Sequence, residues 1–145
     1  MEEKPILKVE IITPDKKVFS GEVYSVLLTA YEGECEIRPE HTPYMGKLNI
    51  GEMRIYFEEG KKDFEVYTVN GGYFKVIKNE LIVLTHSSEN LKEIDVNRAK
   101  AALERAKQRL KDKSENIDRT RARAALMRAL NRINIVERYS SHLRV

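Results

Sequence analysis

The chain has 145 residues, 41% of them hydrophobic, with 26 Lys+Arg against 23 Asp+Glu for a formal net charge of +3. This composition is too apolar for a disordered chain and suits one domain or two small ones. No apolar run approaches the ~20 residues that span a bilayer, the acidic start Met1-Glu2-Glu3-Lys4 lacks a signal-peptide pattern, and a lone cysteine, Cys35, excludes an intrachain disulfide and a thiolate metal cluster. A cytoplasmic setting is the simplest that remains.

All seven glycines and all four prolines lie at or before Gly72, and short strands dominate that half. Leu7, Val9 and Ile11 alternate with Lys8 and Glu10, the period of a half-buried strand. Pro14 to Lys17 is a turn, and Val23 to Thr29 a second strand closed by Glu32-Gly33. The segment Arg38-Pro39-Glu40-His41-Thr42-Pro43-Tyr44 cannot be an interior strand, because its two prolines lack ladder donors. It is a stiff, partly exposed loop, either a partner contact or a corner of the body. Met53, Ile55 and Phe57 alternate with Arg54 and Tyr56, Glu58 to Lys62 turns the chain, and Phe64, Val66 and Thr68 return. Asn70-Gly71-Gly72 is a break before Tyr73 to Ile77, and Lys78-Asn79-Glu80 leads into Leu81 to Thr85. Strands at this spacing indicate an antiparallel sandwich or flattened barrel ending near His86, giving a β domain 1–86 and a helical domain 87–145.

From Glu93 to Lys111 the apolar positions Ala99, Ala102, Leu103, Ala106 and Leu110 recur with helical period, and Asp95 suits the helix start. Lys111 to Asn116 is a polar break in which Ser114 and Asn116 are candidate caps. A second helix to about Val136 aligns Ala122, Ala125, Leu126, Ala129 and Ile133. The short connection predicts an antiparallel helical hairpin, so the fold class is α+β. Its alanine stripes bury little area, so the pairing is expected to be marginal.

Charge is divided unevenly: 14 Lys+Arg against 6 Asp+Glu from Asp95 onward, and 12 against 17 before it. A basic helical region suits an acidic or phosphorylated partner, although solvated ion-paired faces give the same count. Arg98, Arg105 and Arg109 are spaced by seven and four residues, and Arg121, Arg128 and Arg132 repeat the spacing. Each set lies along one side of its helix, where guanidinium forks suit phosphate geometry. No phosphate-binding glycine loop is present, the three histidines have no metal-ligand spacing, and no Ser/His/Asp set can be assembled. Neither catalysis nor a structural metal is expected.

Several segments resemble one family. Ile94-Asp95-Val96-Asn97-Arg98-Ala99 resembles the I/L-D-x-x-R-A signature of the bacterial epsilon subunit of rotary F-type ATP synthase. Leu7 to Pro14 resembles its opening strand, Gly33 to Pro43 its G-E-x-G-I-x-P-x-H-x-P loop, Gly71-Gly72-Tyr73-Phe74 its G-G-F/Y segment, and Arg128-Ala129-Leu130-Asn131-Arg132 its R-A-x-N-R. Glu36 departs from the glycine usual in that loop, and the tail from Ser140 to Val145 has no counterpart.

The resemblance implies a non-catalytic stalk subunit, peripheral on the cytoplasmic face of the membrane and not inserted into it. It implies a sandwich that binds the gamma subunit and rests on the ring of c subunits, coupling rotation to proton or sodium translocation. It further implies a hairpin that docks down or extends into the alpha/beta headpiece, where it blocks hydrolysis. Some members bind ATP on the docked hairpin, and those contacts fall here on Glu89, Asp95, Arg98, Ala99, Arg105, Arg121, Arg128 and Arg132. Partner contacts are expected at Glu34, Arg38, Glu40, His41 and Tyr44, in and beside the proline-flanked loop, and at Arg123 on the second helix. An arginine-rich nucleic-acid-binding module is the competing reading, disfavoured by the acidic body and the lack of interleaved aromatics. A purely structural adaptor with a permanently docked hairpin is the third.

Overall fold

A computed structural model describes residues 5–60, 63–114 and 117–143, without the side chains of His142 and Leu143. The chain divides into two compact units, Met1–Asn90 and Leu91–Val145.

The first unit is a seven-stranded sheet folded into a sandwich. Its strands are β1 (Leu7–Ile12), β2 (Lys17–Val23), β3 (Ser25–Ala30), β4 (Gly33–Ile37), β5 (Tyr44–Tyr56), β6 (Phe64–Ile77) and β7 (Glu80–Leu84), in the order β2-β1-β7-β6-β5-β3-β4. The long strands β5 and β6 serve both layers. The second half of β6 pairs with β7, whereas the second half of β5 pairs with β3. Period-two alternation turns Leu7, Val9, Ile11, Val26, Leu28, Met53, Ile55, Phe74, Val76, Leu81 and Val83 into one core.

Several features depart from the sequence reading. Val23 to Thr29 is not one strand: it breaks at Tyr24, whose N–H donates to the Tyr56 carbonyl at 2.8 Å. The chain changes layer there, because β2 pairs with β1 and β3 pairs with β5. The edge strands β2 and β4 carry little buried apolar area, so their alternation was too weak to read. Asn70-Gly71-Gly72 lies inside β6 and is no break, because the glycines bend the strand without ending it. Phe57 falls outside β5, and Tyr44 opens β5 where it was expected to close the loop. The β1–β7 pair is parallel within an otherwise antiparallel sheet, a direction that periodicity does not encode. Lys61 and Lys62 of the expected turn lie outside the described residues.

The corners rest on missing side chains. The register between β3 and β5 shifts between Leu28 and Ala30. There Thr29 Oγ1 donates to the Glu52 carbonyl at 3.0 Å and accepts from the Glu52 N–H at 3.2 Å. A Cβ on Gly51 would lie 2.6 Å from that side chain. Gly72 has φ +109°, and a Cβ there would lie 1.9 Å from the Leu84 carbonyl oxygen.

The second unit comprises a 3-10 turn (Leu91–Glu93), α1 (Val96–Lys111), α2 (Arg119–Arg138) and α3 (Ser140–Leu143). The helices α1 and α2 pack as an antiparallel hairpin with Ala99, Ala106, Ala122 and Ala129 buried. Asp95 caps α1 by accepting from the Arg98 N–H at 3.1 Å. The cap of α2 is Asp118, which accepts from the Arg121 N–H at 3.1 Å. Ser114 therefore does not cap it, and Asn116 lies outside the described residues.

Two glycine substitutions should separate close approach from backbone conformation. Gly72→Ala should destabilise the sandwich by about 3 kcal/mol or more, because backbone must move. Gly60→Ala has a positive φ of 93° but open space around it, and should lose only about 1 kcal/mol. Denaturant unfolding of both variants checks the difference; equal losses would refute the steric account of Gly72.

Candidate functional site

The hairpin is built on an internal repeat offset by 23 residues. Ile94-Asp95-x-x-Arg98-Ala99 recurs as Ile117-Asp118-x-x-Arg121-Ala122, and Leu103, Arg105, Ala106 and Arg109 recur as Leu126, Arg128, Ala129 and Arg132. At about 100° per residue, each arginine row lies roughly a quarter-turn from its buried alanines. Repeating that offset in two antiparallel helices sets both rows on one side of the alanine seam. Arg98, Arg105, Arg109 and Arg121 are exposed, and Arg128 and Arg132 half-buried. Each aspartate cap fixes the backbone at the first arginine of its own row. The sequence reading found the rows but missed the second cap, although the repeated Ile-Asp-x-x-Arg carried the signal.

Arg119 was also missed. One guanidinium nitrogen donates to the Leu110 carbonyl at 3.0 Å and the other to the Asp112 carbonyl at 2.9 Å. These are orphan acceptors at and just beyond the negative end of α1, where a cation is favourable. Arg119 thus clasps the end of α1 from the first turn of α2. No periodicity marks it, because the partners are carbonyls.

Of the other residues expected to contact nucleotide, Asp95 is exposed and Ala99 is buried in the hairpin seam. Glu89 belongs to the first unit, where its N–H donates to Thr68 Oγ1 at 3.0 Å and its carbonyl accepts from the Thr68 N–H at 2.9 Å. Around it, Asn70 Nδ2 donates to Ser87 Oγ at 2.6 Å, and the Asn70 N–H donates to Thr85 Oγ1 at 3.0 Å. Residues 87–90, grouped with the helices in the sequence reading, are therefore tied to β6.

On the sandwich, Glu34 is exposed in β4 and Arg38 pairs with Glu36 at 3.4 Å. Glu40 sits at φ 64°, and His41 Nδ1 lies 2.7 Å from the Thr42 carbonyl oxygen. The His41 ring lies 6.4 Å from that of Tyr44, which in turn lies 5.7 Å from Phe74. Arg123 is exposed on α2. The loop and the arginine rows belong to different units. Elsewhere on the sandwich, Ile12, Pro14, Tyr73 and Leu84 line an apolar depression of about 330 Å³, with Tyr73 and Leu84 at least half exposed. Cys35 is half-buried in β4, and desolvation pushes its thiol pKa up, away from the reactive thiolate. Among the described residues no helix is long and apolar enough to cross a membrane.

Both units match known domains. Residues 6–91 match the ATP synthase Delta/Epsilon chain beta-sandwich domain, and residues 92–137 its long alpha-helix domain. The chain belongs to the ATP synthase delta/epsilon family. It is 42% identical over 130 residues to the ATP synthase epsilon chain of Desulforamulus reducens, covering 90% of this chain and 96% of that one. It is 35% identical over 136 residues to the sodium-ion-specific ATP synthase epsilon chain of Propionigenium modestum, covering 94% and 97%. A chain in the Euglena gracilis mitochondrial ATP synthase structure (OSCP/F1/c-ring) shares the fold, with a TM-score of 0.77 at 20% identity, covering 94% of this chain and 84% of that one. These relatives identify the epsilon-chain group within the family.

The family's helical domain here depends on the clasp as well as the seam. Arg119→Ala should destabilise the hairpin by about 1 kcal/mol, and Arg119→Lys should recover only part of the loss, since an ammonium keeps the charge but cannot span two carbonyls as a fork. Amide exchange across α1 and α2 reads the loss; unchanged exchange in Arg119→Ala would refute the clasp.

Proposed function

We propose that the chain is the epsilon subunit of the central stalk of an ATP synthase, without catalysis of its own and peripheral at the cytoplasmic face of the membrane. The sandwich binds the gamma subunit and rests on the ring of c subunits, coupling rotation to ion translocation. The apolar depression at Ile12, Pro14, Tyr73 and Leu84 supplies dry area for a protein partner, and the loop from Arg38 to Tyr44, with Glu34 beside it, supplies polar contacts. The hairpin is the regulatory part: extended into the alpha/beta headpiece it brakes hydrolysis, with Arg123 and the arginine rows meeting acidic surface.

ATP is the ligand of the closed hairpin. The observation that carries this reading is the pair of arginine rows beside one seam, each started by an aspartate cap. Arg98, Arg105, Arg121, Arg128 and Arg132 contact phosphates, while Asp95 meets the remainder of the nucleotide. The affinity need not be high. A dissociation constant of about 1 mM is about −4 kcal/mol, which two or three charged hydrogen bonds of roughly 1.5–3 kcal/mol supply after ordering losses. A ligand that binds only the closed form depletes the extended one, so ATP relieves the brake.

Calorimetry on the isolated subunit is the direct test. ATP should bind and raise the melting temperature, and Arg98→Ala with Arg128→Ala should abolish both effects with the sandwich still folded. No heat and no thermal shift at several millimolar ATP would sink the nucleotide reading.

A chain cut after Asn90 should still bind gamma, since the sandwich has its own core, and the synthase carrying it should hydrolyse ATP faster than with the full chain. An unchanged hydrolysis rate would favour the permanently docked adaptor.

A further inference from the structure

The loop between β4 and β5 is shaped from outside by one residue of the β6–β7 turn. Glu40 carries a Cβ yet sits at φ 64°, a left-handed conformation that side-chain-bearing residues disfavour. The flanking Pro39 and Pro43 fix their own φ but not that of Glu40. Asn79 does. Its Oδ1 accepts the Glu40 backbone N–H at 2.6 Å, and its Nδ2 donates to Glu40 Oε1 at 2.8 Å. Both ends of one amide are therefore spent on a single residue 39 positions earlier in the chain.

Asn79 is itself set by backbone. Ile77 pairs with Glu80, and Lys78 and Asn79 have φ 49° and 63°, the conformation of a two-residue hairpin turn. The Asn79 carbonyl also accepts the Lys8 N–H at 2.8 Å, tying the turn to the start of β1. The turn needs a residue that tolerates positive φ, which glycine also does. It does not need an amide side chain; among the described residues Glu40 is what uses that amide.

We infer that Asn79 is a positioning residue for partner binding: it holds the loop from Glu40 to Tyr44 in the shape on which the gamma subunit and c ring dock. The inference rests on the reading of that loop as a stalk contact. Asn79 grips one end at Glu40, and the Tyr44–Phe74 ring contact holds the other. His41, Thr42 and Pro43 then form a short span with little freedom left to lose on binding, which favours affinity.

The test compares full-length variants in two measurements: amide exchange of the free subunit, and affinity for a reconstituted gamma–c-ring subcomplex. Asn79→Gly keeps the turn and deletes the amide. Glu40→Gln keeps an oxygen for Asn79 Nδ2. His41→Ala reports whether the loop meets the partner. In Asn79→Gly the Glu40 and His41 amides should exchange about tenfold faster and partner affinity should fall about tenfold, the scale of one net hydrogen bond. The melting temperature should stay near that of the parent, and Glu40→Gln should match the parent in amide exchange of the free subunit. Unchanged affinity in Asn79→Gly, with a loss in His41→Ala, overturns the positioning role and leaves the stalk contact standing. Unchanged affinity in both overturns the stalk contact, and the positioning role with it. A fall in melting temperature with intact affinity also overturns it, since Asn79 would then be structural only.

Discussion

Gly72 and the carbonyl of Leu84 lie closer together than any Cβ permits, and the sandwich is arranged around that approach. The next residues along pair Tyr73 with Leu84 and Phe74 with Val83. In the other direction β6 runs on through Asn70 to Phe64 against the second half of β5. The same two strands thus run through both layers, and the bend at Gly71-Gly72 lets one ladder turn from one layer into the other. A similar relation holds at Gly46, where a Cβ would lie 2.5 Å from the Phe74 ring. Phe74, one of the largest buried side chains, fills the space that its cross-strand partner leaves empty. The core is therefore fixed as much by missing atoms as by apolar ones.

This explains which parts of the body were legible. Where one face of a strand is buried, the side chains alternate in the sequence, and Leu7-Val9-Ile11 and Met53-Ile55 announce themselves. Where the fold is set by backbone, the same letters mislead. Asn70-Gly71-Gly72 carries the composition of a turn, yet the glycines permit a bend and Asn70 serves a buried polar network with Thr85 and Ser87. Tyr24 reads as strand because its neighbours do, although the chain changes layer there. The partner of Glu40 lay beyond reach, since neither local pattern nor period connects it to Asn79.

The helical unit was more legible because its determinants are local. Ala99, Ala106, Ala122 and Ala129, expected on the stripes, are buried, and the arginine rows follow from spacing alone. The missed elements act through carbonyls and caps. Asp118 was missed beside Ser114 and Asn116 as a helix start, although the hydrophobic residue before it and the arginine three places after it repeat Ile94-Asp95 and Arg98. Arg119 looks like one more solvated cation until the end of α1 is beside it.

The hairpin gathers weak opposing terms. Alanine seams allow close approach but remove little apolar area, while alanine-rich helices retain their intrinsic propensity if they part. Like charges ~8 Å apart in a water-like dielectric repel by roughly 0.5 kcal/mol per pair before salt screening, so two adjacent arginine rows push against closure. The aspartate caps stabilise each helix separately and do not favour closure. The Arg119 clasp does, because it joins the end of α1 to the first turn of α2. A polyanion among the rows reverses the sign of that repulsion without adding any apolar contact. In the proposed regulation the ligand needs only a modest difference in affinity between the two arrangements if the small alanine seam and the clasp are what hold the closed one. A seam of leucine would close more firmly, and it would leave such a ligand little to change.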